Sequence, residues 1–180
     1  MYFFHTINKK DLSNSTINKL NIEKQKDAND LNSKNVIKNI EYITKDQKGN
    51  FYSLKAEKSE IDKNNENIIK LLNVNGKIRL KEGEEAYISS DSAVYNSLTT
   101  DTQFFKNVKL LYSDHLIECE IVNLKFSKKN IILEKDLIYN NSKSKIMADK
   151  IEFDLITKNF KISMYNKNSK IKIININGNN

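Results

Sequence analysis

The chain has no proline, no tryptophan, a single cysteine and only four glycines in its 180 residues. Tight turns therefore cannot rely on the two usual turn formers and must come from Asn, Asp, Ser and Lys, since Asn and Asp tolerate left-handed backbone and hydrogen-bond their own turn. Cys119 cannot form an internal disulfide, so the fold rests on its core alone. Arginine is nearly missing too. Arg79 is the only one, and the net charge of +7 is carried by lysine, a poorer reader of base edges. With no basic-aromatic motif beside it, this charge is read as the solvated face of a sheet, and no nucleic-acid partner is expected.

Long apolar runs are absent as well. Tyr2-Phe3-Phe4 and Ile131-Ile132-Leu133 are typical of the longest, against the about 20 residues that a spanning helix needs. His5, Thr6, Asn8, Lys9 and Lys10 follow the opening residues at once, where a secretory signal would place its apolar stretch. The sequence holds no Gly-rich phosphate loop, no nucleophile elbow and no CxxC. His115 and Cys119, beside Glu118 and Glu120, are two soft ligands without a second pair, so they read as plain strand residues. Acid pairs such as Glu84-Glu85 and Asp149 near Glu152 are ordinary on a wet face. The expectation is a protein that is not an enzyme, with no metal and no cofactor.

What is present is strand patterning. Hydrophobic residues make up 38% and charged ones 29%, too apolar for a disordered chain, and the length suits one domain. Residues 1–35 are polar with sparse apolar positions and read as a tether, a short helix being the alternative. From about Val36 the texture turns to period two: Tyr52, Leu54 and Ala56 against Ser53, Lys55 and Glu57; Val122, Leu124 and Phe126 against Asn123, Lys125 and Ser127; Ile151, Phe153 and Leu155 against Glu152, Asp154 and Ile156. Polar breaks at 46–50, 62–65, 96–97, 128–130 and 140–142 separate the runs. Short strands in close succession predict an all-β fold, a twisted antiparallel sheet, sandwich or jelly roll over residues 36–165, with 166–180 a tail or the last edge strand.

An approximate repeat runs through this region. Units begin at Ala56, Ser90, Ile121 and Ala148, at offsets of 34, 31 and 27 residues, and each returns on a second strand. Such a period means stacked strand pairs, none able to bury its apolar face alone, with open edges at both ends. In the third unit Glu120 interrupts the dry alternation.

The stretches Tyr52-Ser53-Leu54-Lys55-Ala56, Ile88 to Asn96 and Ile146 to Asp154 resemble the repeats of the lipopolysaccharide-transport jelly-roll family, most of all its LptC branch. The likeness covers about residues 36–165. It implies a V-shaped roll in the periplasm that receives lipopolysaccharide from inner-membrane ABC transporter subunits and passes it to an LptA-like bridge protein. It also implies a tether to the inner membrane by an N-terminal helix absent from, or truncated in, this chain. An LptA-like soluble bridge unit and a scaffold domain that binds only protein are the alternatives. On this reading Leu54, Ile61, Ile88, Val94, Leu124, Phe126, Ile146, Ile151 and Phe153 line a lipid groove, the core of a closed sandwich being the plain alternative for the same residues. Phe160, Ile162 and Met164 form an edge for a partner strand.

Overall fold

The computed structural model describes residues 36–45, 49–79, 81–99, 101–125, 128–154, 156–157 and 159–176. The tether assigned to residues 1–35 lies outside them. The described residues form one all-β, ten-stranded antiparallel sheet: β1 (Val36–Lys45), β2 (Phe51–Ile61), β3 (Ile68–Arg79), β4 (Glu85–Asn96), β5 (Thr102–Tyr112), β6 (His115–Lys125), β7 (Asn130–Asn140), β8 (Ser144–Asp154), β9 (Phe160–Ser163) and β10 (Lys172–Asn175). Strands β1 to β8 pair in chain order. Both β9 and β10 then pair with β8, on its two halves. Each strand touches only those it pairs with, so among the described residues the sheet does not close.

The scarce glycines are replaced as expected. The side chain of Asp62 accepts the amide of Asn64 at 2.9 Å, that of Asn96 the amide of Leu98 at 2.9 Å, and that of Asp154 the amide of Ile156 at 2.8 Å. Ser113 and Lys129 take left-handed backbone in two further turns. These side chains supply locally the hydrogen bonds that a tight turn leaves open.

Left-handed residues also occur inside strands, where β-structure does not ordinarily allow them. They are Asn39 in β1, Asn73 in β3, Lys106 and Asn107 in β5, and Lys135 and Asp136 in β7, at φ between 50° and 66°. The register places them on one line across the sheet, facing Glu57, Asp91, Glu120 and Asp149 of the even strands. Asn73 donates its side-chain amide to Glu57, and Asn107 donates to Asp91 at 2.8 Å.

This line is a crease. On crossing it each strand steps by three or four residues between inward side chains instead of two: Ala56 to Ser59, Leu71 to Val74, Ser90 to Ala93, Phe104 to Val108, Cys119 to Val122, Leu133 to Leu137, Ala148 to Ile151. A single flat layer cannot take Val108 to 0% exposure or Val74, Val122 and Leu137 to 1%. The two arms on either side of the crease fold over each other and bury these residues between them. Beside the crease the even strands carry small residues, Ala56, Ser90, Cys119 and Ala148, while the odd strands carry Ile40, Val74, Val108 and Leu137. The alternation of small and large lets the arms approach closely.

The repeat is therefore marked by a small residue followed by an acid: Ala56-Glu57, Ser90-Asp91, Cys119-Glu120 and Ala148-Asp149. The third unit starts at Cys119, not at the expected Ile121, and Glu120 is no irregularity, because its place at the crease is that of the other three acids.

Gly76 is required by packing. It lies between Leu54 and Ile88, and a Cβ there would stand 2.8 Å from the Ile88 Cγ2. Gly76→Ala should lower stability by about 1–3 kcal/mol through overpacking, measured by urea unfolding, and Ile88→Val in the same chain should recover part of the loss.

Candidate functional site

Four cross-strand rows flank the crease on the inward face, and beyond them on the first arm runs a fifth with Ile78, Ala86, Tyr112 and His115. Nearest the crease on one arm are Ile40, Ala56, Val74, Ser90, Val108, Cys119, Leu137 and Ala148. Nearest it on the other are Ile37, Ser59, Leu71, Ala93, Phe104, Val122, Leu133, Ile151 and Ile162. Farther out on the first arm run Tyr42, Leu54, Gly76, Ile88, Leu110, Ile117, Tyr139, Ile146 and Ile173. Farther out on the second run Ile61, Ile69, Tyr95, Thr102, Leu124, Ile131, Phe153 and Phe160. The only ionisable groups in these four rows are three tyrosines and the cysteine. Nine strand widths at about 4.8 Å make the apolar interior roughly 40 Å long.

The two rows nearest the crease are packed shut. Apart from Ile131, which is buried, the two outer rows are half-buried, and their ends lie open: Tyr42 at the β1 edge is 48% exposed, Phe160 on β9 54% and Ile173 on β10 65%. Apolar surface of this kind at both ends of an interior is what an extended ligand or a continuing partner could cover.

Of the residues expected to line a groove, Leu54, Ile88, Leu124, Ile151 and Phe153 are half-buried and pack on the core. Ile61 faces inward opposite Ile69, and Ile146 opposite Tyr139. Val94 does not belong with them. Its neighbours Ala93 and Tyr95 take the inward positions, and Val94 faces out between Lys70 and Gln103. Even spacing from Ile88 put it on the dry face, and the crease between the two reverses the parity. Phe126 lies outside the described residues. Of the expected partner edge, Phe160 and Ile162 lie on β9, which among the described residues pairs with β8 alone, with Phe160 exposed and Ile162 packed on the core; Met164 follows the strand and also packs on the core. Tyr42, Leu110, Ile117, Tyr139 and Ile173 were not singled out in the sequence. The small-acid pairs at the crease were the signal that would have aligned them.

Cys119 and His115 share a face of β6 but do not form a site. Cys119 is buried, and burial pushes its thiol up to about 11. His115 is exposed, with Nδ1 2.7 Å from the Tyr139 hydroxyl. Among the described residues no group of three or more His, Cys, Asp or Glu is placed to hold a metal, and no helix is long and apolar enough to cross a membrane.

The outward face of the first arm is charged. Glu85 accepts from Lys77 at 2.8 Å, from Arg79 at 2.7 Å and from the Tyr87 hydroxyl. Beside it a concavity of about 390 Å³ is lined by Lys55, Lys77, Tyr87, Lys109, Leu111 and Leu116. Lys55 and Lys109 are paired there with Glu41 at 3.0 Å and Glu118 at 3.1 Å, so its lysines are already neutralised.

The geometry defines the class of the protein: an open-edged antiparallel roll with an apolar interior and a charged exterior. No family model matches the sequence, and no curated protein matches it.

Two outcomes follow from these environments. The hydrogen bond from Lys77, then those from Tyr87 and Arg79, hold the Glu85 carboxyl down to about 2 from its ordinary 4.5. A carboxyl lowered on folding adds stability above its ordinary value and loses it as the pH falls through the folded one. The urea midpoint of the native chain should fall between pH 4.5 and 2, and that of Glu85→Gln should fall less. Cys119 should stay unreactive to a thiol reagent at pH 8 until urea unfolds the chain, because a buried, protonated thiol is neither nucleophilic nor accessible.

Proposed function

We propose that this chain is a periplasmic jelly-roll component of lipopolysaccharide export. It receives lipopolysaccharide from an inner-membrane ABC transporter, to whose membrane it is tethered, and passes the molecule to the next roll of a bridge. The observation that carries this reading is the run of apolar side chains from Tyr42 to Ile173, one per strand, half-buried along its length and exposed at both ends. A closed domain has no need of such open ends, whereas a conduit that continues into another roll requires them. The acyl chains lie along the outer rows, between the free margins of the two arms, since the crease itself is filled. The sugar and phosphate portions stay in water outside the margins, as the four rows flanking the crease hold no charged group to receive them. Transfer is passive, with an apolar surface of even character offering no deep binding point along the path and the transporter supplying direction.

A second reading, a scaffold whose edges bind only protein, draws on the closed packing at the crease, where Val108, Val122 and Leu137 admit nothing. Photoreactive residues introduced singly at Leu54, Ile88 and Ile146, with Lys55, Ser89 and Lys145 as outward controls, separate the two. Crosslinks to added lipopolysaccharide at the inward positions alone are the expected result. No crosslink at any of the three, in variants with a native melting transition, would leave the scaffold reading standing.

A further inference from the structure

The concavity on the outward face of the first arm has no part in the passage of acyl chains. Two cross-strand rows build it. One runs Glu41, Lys55, Asn75, Ser89, Lys109 and Glu118 from β1 to β6. The next runs Ser53, Lys77, Tyr87, Leu111 and Leu116 from β2 to β6. In the first row two short side chains, Asn75 and Ser89, stand between two long ion pairs, Lys55 with Glu41 at 3.0 Å and Lys109 with Glu118 at 3.1 Å. The surface is hollow there because the middle of the row is short and its flanks are long. The resulting volume of about 390 Å³ falls within the about 300–1,000 Å³ of small-molecule sites.

Its lining has a definite chemistry. The floor is polar and unspent: among the described residues the side chains of Ser53, Asn75 and Ser89 have no hydrogen-bond partner on the protein, and a hydroxyl or a carboxamide both donates and accepts. Charge on the walls is balanced, with Lys55, Lys77 and Lys109 held by Glu41, Glu85 and Glu118. An anion would have to displace these carboxylates, and a cation these lysines. A neutral ligand displaces neither, and it still finds spare donors on each ammonium and spare acceptors on each carboxylate. One side is apolar. Tyr87 and Leu111 lie opposite each other, 41% and 42% exposed. The Tyr87 hydroxyl is given to Glu85, so the ring presents its apolar body.

We infer that this hollow is a binding site for a short neutral saccharide. Sugar hydroxyls, each a donor and an acceptor, match Asn75, Ser89 and the paired walls, while the C–H groups of a sugar ring lie against Tyr87 and Leu111. The site is on the opposite face of the sheet from the apolar interior, so it goes beyond the transport reading and does not rest on it. Two sources offer this chemistry, a free oligosaccharide and the neutral sugars of a glycolipid.

The test titrates the full chain, labelled with ¹⁵N, with maltotriose, cellotriose and mannotriose, and separately with inorganic phosphate, and follows the amide resonances. Saturable shifts centred on Asn75 and Ser89 are expected with at least one of the sugars and not with phosphate. Ser89→Leu, which fills the floor, and Tyr87→Ala, which removes the apolar side, should each weaken binding by about tenfold or more with the melting transition kept. Val94→Ser, on the outward face of the other arm, should leave it unchanged. Absence of a saturable shift with all three sugars overturns the inference. So does a stronger response of the same amides to phosphate, or undiminished binding in both Ser89→Leu and Tyr87→Ala. Displacement of the bound sugar by smooth lipopolysaccharide, which carries neutral outer sugars, but not by lipid A assigns the site to a glycolipid, and failure of both to displace it assigns the site to a free oligosaccharide. Displacement by lipid A alone overturns the inference, because the hollow would then take an amphiphile.

Discussion

The structure depends on the packing along the crease. Every strand that crosses it must break the two-residue alternation of inward side chains with a step of three or four, and in the odd strands the backbone leaves its ordinary dihedrals to do so. The odd strands do so with left-handed residues, each at a cost of about 1–2 kcal/mol. What offsets the cost is burial: Val74, Val108, Val122 and Leu137 are fully enclosed, at about 1.5–3 kcal/mol for a side chain of that size. The asparagines and lysines at these positions are not turn residues out of place. They hold the bend that makes one sheet into two facing arms.

The same constraint divides the interior. Close to the crease the arms touch, and the alternation of Ala56, Ser90, Cys119 and Ala148 with Ile40, Val74, Val108 and Leu137 leaves no room for a ligand. Away from it the arms diverge, and Leu54, Ile88 and Ile146 are left half-covered. A core and a trough are thus parts of one apolar surface, distinguished by distance from the bend. Among the described residues the surface is exposed at the sheet's ends, because an antiparallel meander that does not close exposes its last rows.

The class of fold, the absence of helix-linked units and the turn chemistry were legible in the residues, since period-two alternation and Asx breaks are local signals. Most of the inward positions were legible for the same reason. Val94 was misplaced because parity counted along the chain does not register a reversal in mid-strand. Glu120 looked like a flaw for the same cause. Aligned on the small-acid pairs, it falls in line with Glu57, Asp91 and Asp149.

By itself, then, the sequence determined that this is an all-β chain of stacked strand pairs with one dry face, because the alternation, the spacing of polar breaks and the lack of any catalytic motif can be read residue by residue. Only the tertiary structure decided that the sheet bends on a single line, and which apolar residues are sealed and which are open. Those properties come from the register between strands, where Asn39 meets Glu57 and Val74 lies between Ala56 and Ser90, and register links positions too far apart in the chain for any local pattern to reveal.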